Sequence, residues 1–347
     1  MISPEFITEQ ASITLRQWIE DPAARLGASR TARRLFADEF GLDPFSSGIS
    51  VPTPSYLTLK IIGDAELVMP DDHFFMVRGN VLESIHQSTQ LRIPESIIDH
   101  PAMKPYRAQY QWLVEHVGNS AEVGIGPGTQ GPITMAKLLR GQDFFADIIE
   151  YPQEAHGLLE IVTDTIIKAW TEVRQFLARP LSGGSLAIHD DFAGLMGPAH
   201  FQQFAVPCYQ RIYAAFAPRL RLFHSELLRQ GHLECLPEMK IDFLNLGENQ
   251  YLRPSEVAAV TDVPFEWHVK TATVRDGTPA LVEQEYVAAV TDGAPAVLTE
   301  LCARKIPFGN IHAYVRTAQE RGPFVAPGNC YAAAMKATEL RRGPDRA

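Results

Sequence analysis

Short apolar runs alternate with longer amphipathic stretches from about residue 55 onward. The segments Glu122-Val-Gly-Ile125, Ser185–His189, Leu220–His224, 242–246, Pro264–Val269 and Pro323-Phe-Val-Ala-Pro327 are apolar, β-branched or aromatic and bounded by turn residues. They are predicted strands. Between them lie helical patterns, clearest from Pro152 to Leu177, where Leu158, Leu159, Val162, Ile166, Trp170 and Val173 form one stripe. Further helices are expected over Gly197 to Phe216, Leu227 to Met239, Pro254 to Val260 and Ala280 to Val290. Strands separated by crossover helices imply parallel pairing. The first 50 residues differ: Leu15, Trp18, Ile19, Leu26, Leu35 and Phe36 recur at helical spacing, with breaks expected near Pro22 and Gly27. Gly48-Ile-Ser-Val-Pro-Thr-Pro54 reads as a turn-rich connection.

Polar residues gather where the predicted strands end: His189, Asp190 and Asp191; His224 and Glu226; Glu248; His268 and Lys270; Cys330. In a (β/α)8 barrel the C-terminal strand ends form the active-site face. The preferred architecture is therefore an α/β chain with a helical extension over 1–54 and a (β/α)8 TIM barrel over 55–347. A length of 347 residues suits one such unit, and 46% hydrophobic residues supply its core.

Charge narrows the partners. Lys and Arg number 31 against 41 acidic residues, a net −10, with no basic run. Neither nucleic acid nor an anionic membrane surface suits such a chain. No window of 18 apolar residues and no secretory leader pattern occurs, so a cytoplasmic protein is expected. The four cysteines, Cys208, Cys235, Cys302 and Cys330, form no CxxC pair and read as thiols or a metal ligand.

Several clusters could carry chemistry. Gly126-Pro-Gly128-Thr-Gln-Gly131 fits G-x-G-x-x-G, but the second strand ending in an acid that a dinucleotide fold needs is missing. A Gly-rich strand-to-helix turn is the plainer reading. Asp190 and Asp191 could act as acid–base groups or cap a helix. His224 and Glu226, two apart at a strand end, face the same way if the chain stays extended, and could share one ion. Cys330 is either a third ligand or a small buried hydrophobe. His268 is a core histidine or a rim group, and His232-Leu-Glu-Cys235 is better placed as helix than as ligand pair.

Gly131-Pro-Ile-Thr-Met-Ala-Lys-Leu-Leu-Arg-Gly141, His189-Asp-Asp-Phe-Ala-Gly-Leu-Met-Gly-Pro-Ala-His200, the His224 segment and Ala326-Pro-Gly-Asn-Cys330 occur in an order that resembles the uroporphyrinogen decarboxylase superfamily. The likeness runs from about residue 55 to residue 340. True decarboxylases of that superfamily carry an N-terminal M-R-Q-A-G-R motif, and the cluster Arg30 to Arg34 does not match it. The other branch contains zinc-dependent methyltransferases that work with corrinoid proteins or thiols. Their H-x-C stands here as His224-Ser-Glu226, and their later cysteine as Cys330, displaced by one position. The resemblance thus implies zinc held by His224, Glu226 and Cys330, with Asp190, Asp191 and His268 in acid–base or substrate roles. It also implies a small polar substrate and a methyl-corrinoid partner protein. A carboxylate in place of a thiolate hardens the donor set toward oxygen and nitrogen groups. Two other readings stay open: a decarboxylase or other lyase of a small acid, with or without metal, and a binder that lost its chemistry. The N-terminal segment could cover the barrel mouth or mediate a homodimer.

Overall fold

The computed structural model describes residues 2–43, 48–70, 73–118 and 122–321. The chain divides into two units, residues 48–241 and residues 1–47 with 242–347.

In the 48–241 unit, β1 (Ile49–Val51) pairs in parallel with β4 (Val123–Ile125). The stretch expected to be only a connection therefore contributes a strand, which Gly48, Pro52 and Pro54 around it disguise as a turn. A small antiparallel pair, β2 (Glu66–Val68) with β3 (Met76–Arg78), follows. β5 (Ser185–His189) and β6 (Leu220–His224) occupy the predicted residues and run parallel, with His189 directly opposite His224. The long helix is Pro152–Phe176, opened by its proline and burying Ala155, Leu158, Leu159, Val162, Ile166, Ala169 and Val173 along one face. The helix expected over Gly197 to Phe216 is interrupted: Phe201–Ala205 forms a π-helical turn before Val206–Phe216 begins. Pro207 supplies the reason, since its missing N–H breaks the regular ladder one turn earlier.

In the other unit, β7 (Phe243–Asn245), β8 (Phe265–Val269) and β9 (Ala296–Thr299) are parallel neighbours. The N-terminal segment belongs to this unit. Its helices Leu15–Glu20 and Pro22–Phe40 meet at Asp21, whose carboxylate caps Ala23 and Ala24 N–H groups while Pro22 takes the first helical position. The expected break at Gly27 does not occur; the residue lies inside Pro22–Phe40 with open space around it. Phe6, Phe36 and Phe40 share a core with Val274, Val282, Tyr286 and Ile311, and Ser3 N–H donates to Leu301 O at 3.1 Å. The extension is thus built into the packing of the C-terminal half of the chain. The predicted strand at 323–327 lies outside the described residues.

Candidate functional site

At the end of β5 three consecutive residues differ in surroundings: His189 is exposed, Asp190 buried and Asp191 half-buried. Asp190 turns inward and is fully buried. Its Oδ2 accepts from Ile133 N–H at 3.0 Å and from the Tyr209 hydroxyl at 2.9 Å. Its Oδ1 accepts from Thr134 N–H and Thr134 Oγ1, both at 2.7 Å. Ile133 and Thr134 open the helix Pro132–Arg140, so this carboxylate sits where a helix N-terminus attracts an anion. Burial raises the Asp190 carboxyl to about 6, while the four donors pull the other way. The Tyr209 hydroxyl is pushed well above its ordinary range, first by burial and then by the Asp190 charge.

The same contacts settle what the glycine-rich turn does. The N–H groups that a pyrophosphate would need are taken by Asp190. A Cβ at Gly131 would lie 2.3 Å from Asp190 Cβ, and one at Gly128 would lie 2.8 Å from Leu57 Cβ. Gly128 also has φ +71°, a left-handed backbone that suits glycine. Its carbonyl accepts from Thr58 N–H at 3.1 Å and Thr58 Oγ1 at 2.9 Å. These glycines serve close packing within the protein.

Asp191 lies on the opposite side from Asp190 and meets His224: Nε2 stands 3.1 Å from Asp191 Oδ1. The strand pairing that sets His189 beside His224 also brings their rings to 5.1 Å. Asp190 N–H donates to His224 O at 2.9 Å, which extends the ladder past the strand end and holds the two loops together. Tyr56 belongs to this group. Its hydroxyl is shifted upward by burial and by the charge of Asp191. Nothing in the Pro52-Thr-Pro54-Ser-Tyr56 pattern signals that proximity, because Tyr56 and Asp191 are 135 positions apart in sequence.

β6 ends at His224, and Glu226 falls in the turn that follows, exposed to solvent. The alternation expected to set Glu226 on the His224 side therefore stops short of it. Among the described residues, no group of three His, Cys, Asp or Glu side chains is placed to hold a metal ion. Cys330 lies outside the described residues.

His268 belongs to the 1–47/242–347 unit, on β8, and is buried with Glu266, from whose Oε1 its Nε2 is 3.6 Å away. Asn245 on β7 donates to the same Glu266 oxygen and accepts from Gly247 N–H at 2.7 Å. Glu266 was not singled out by the sequence, although its position two residues before His268 on a strand puts both on one face. His232 has both ring nitrogens engaged, one with Met196 O at 2.8 Å and one with Arg229 N–H at 3.0 Å. Burial lowers its affinity for a proton. It is a satisfied core histidine.

Residues 62–319 match the family model "Uroporphyrinogen decarboxylase (URO-D)". The chain belongs to the URO-D family. No curated protein sequence matches it. Among solved structures, the URO-D chain is similar to a methyltransferase from Methanosarcina mazei, with TM-score 0.65 and 16% identity over 90% of each chain. The fold class read from the sequence, an α/β (β/α)8 barrel with a helical N-terminal extension, is that of this family. No helix of the described residues is long and apolar enough to cross a membrane.

Proposed function

We propose that this URO-D protein is a metal-dependent methyltransferase-like enzyme acting on a small polar substrate. The single observation that carries the reading is the His224–Asp191 contact of 3.1 Å at the ends of β5 and β6. A carboxylate against one ring nitrogen fixes the orientation and tautomer of an imidazole, the usual support of a metal-binding histidine. The similarity to a methyltransferase structure favours methyl transfer.

His224 would hold zinc through its imidazole, and Glu226, exposed in the turn after β6, would add a carboxylate only by a movement of that turn. Such an ion would supply Lewis acidity toward an oxygen or nitrogen acceptor. The chain's own residues have the other tasks. Asp191 orients His224, and Tyr56 beside it offers a hydroxyl whose proton is held more firmly than in water. Asp190 anchors the start of the Pro132–Arg140 helix and so positions the Asp191 loop rather than meeting substrate. A methyl-corrinoid protein is the proposed donor.

Elemental analysis of protein purified without chelator tests the reading. Stoichiometric zinc in the wild type and its loss in His224→Ala support it. Metal-free wild type would overturn it and leave a metal-independent lyase of a small acid as the better account.

A further inference from the structure

The 48–241 unit contains a cavity of about 240 Å3 between β5 and the loop that leads into the Pro132–Arg140 helix. Its inner wall is apolar, formed by the buried Ile166, Leu186, Ile188 and Ile212. Its polar side carries Gln130, with the exposed Ser55 and His189 at the rim. Neither Asp191 nor His224 lines it.

Three observations define what fits. The lining includes no Asp, Glu, Lys or Arg, and its one titratable side chain, His189, is exposed at the rim rather than in the apolar interior. An ion there would lose hydration without a counter-charge, so the occupant is neutral. Gln130 Oε1 is buried and has no hydrogen-bond partner among the described residues. A buried acceptor of this kind calls for a donor, an N–H or O–H on the occupant. The volume lies below the roughly 300–1,000 Å3 of pockets for drug-sized molecules, so the occupant is small.

We propose that this cavity is a binding site for a small neutral amide or alcohol, its N–H or O–H donated to Gln130 Oε1 and its branched aliphatic body against Ile166, Ile188 and Ile212. The site is independent of any metal at His224, since the two share no lining residue beyond the neighbouring His189.

Saturation-transfer NMR on the full chain provides the test, with isovaleramide as the probe and isovalerate and isopentylammonium as its charged counterparts. Isovaleramide is expected to bind with a Kd on the order of 1 mM. Both ions are expected to bind at least about tenfold more weakly. Gln130→Leu removes the acceptor from a half-buried loop position and should weaken isovaleramide about tenfold with an unchanged melting curve. Ala187→Leu, which fills the cavity from β5, should abolish binding; should it fail to fold, Gln130→Leu alone decides. No saturation transfer to isovaleramide, equal binding of amide and ions, or unchanged affinity in Gln130→Leu would each overturn the proposal.

Discussion

Gly131 and Asp190 are packed so closely that a single added carbon has no place: a Cβ at Gly131 would sit 2.3 Å from Asp190 Cβ and 2.4 Å from its Cγ. The backbone at Gly131, φ −67° and ψ 160°, is open to any residue. The glycine is required by its neighbour rather than by its conformation. Four hydrogen bonds pin Asp190, so it cannot yield cheaply. Gly131→Ala is therefore expected to lower stability by about 1–3 kcal/mol through overpacking, measured by urea unfolding. Wild-type stability in that variant would refute the packing argument.

Gly157 is the opposite case. It lies inside the Pro152–Phe176 helix, and nothing stands within 4 Å of a Cβ added there. Gly157→Ala should stabilise by about 0.5–1 kcal/mol through the lower entropy of the unfolded chain and better helix propensity. The two substitutions are chemically identical, so opposite signs in one thermal-melt series isolate the effect of the surroundings.

Asp190 gives the fold a pH dependence whose sign can be worked out. Its carboxyl is raised from 3.8 to about 6 in the folded state. Between these values the native protein holds a proton that the unfolded chain has released. Stability from this group is therefore greatest below 3.8 and falls as pH rises toward about 6. The fall corresponds to about 3 kcal/mol. Asp190→Asn does not titrate, so the difference between wild type and variant in denaturant unfolding should shrink by that order over this range. A flat difference would show that the four donors offset the burial completely.

The metal reading makes a paired prediction at Asp191 and His224. His224→Ala should remove bound zinc while leaving the melting temperature of the metal-free protein within about 2 °C, because the side chain lies at a strand end outside the apolar core. Asp191→Asn should retain zinc but weaken it about 10–100-fold, as expected when the group orienting a ligand histidine is changed. Competition with a chromophoric chelator measures both. Equal zinc affinity in Asp191→Asn and wild type would assign the 3.1 Å contact a purely structural role.

Much of the framework was legible along the chain because its signals are local. Short apolar runs bounded by turn residues located β5 and β6 to the residue, the 3.6-residue stripe located Pro152–Phe176, and Pro22 marked the helix boundary that Asp21 caps. β1, β2, β3 and β9 were missed, β1 because Gly48, Pro52 and Pro54 around it give the segment the look of a turn. The motif order sufficed for the family, and residues 62–319 match it.

What the polar residues do was decided by tertiary structure. Asp190 and Asp191 are the same side chain at adjacent positions, yet one is sealed against a helix start and the other meets a histidine. Three of the four donors that claim Asp190 come from residues 56 and 57 positions away in sequence, and the fourth, Tyr209, is 19 away. At 126–131 the sequence already favours a plain Gly-rich turn over a phosphate loop, and the fold adds that Asp190 occupies the Ile133 and Thr134 N–H groups just after it. Local pattern encodes backbone geometry through neighbouring side chains; the partner of a buried charge is set by chain segments that only folding brings together.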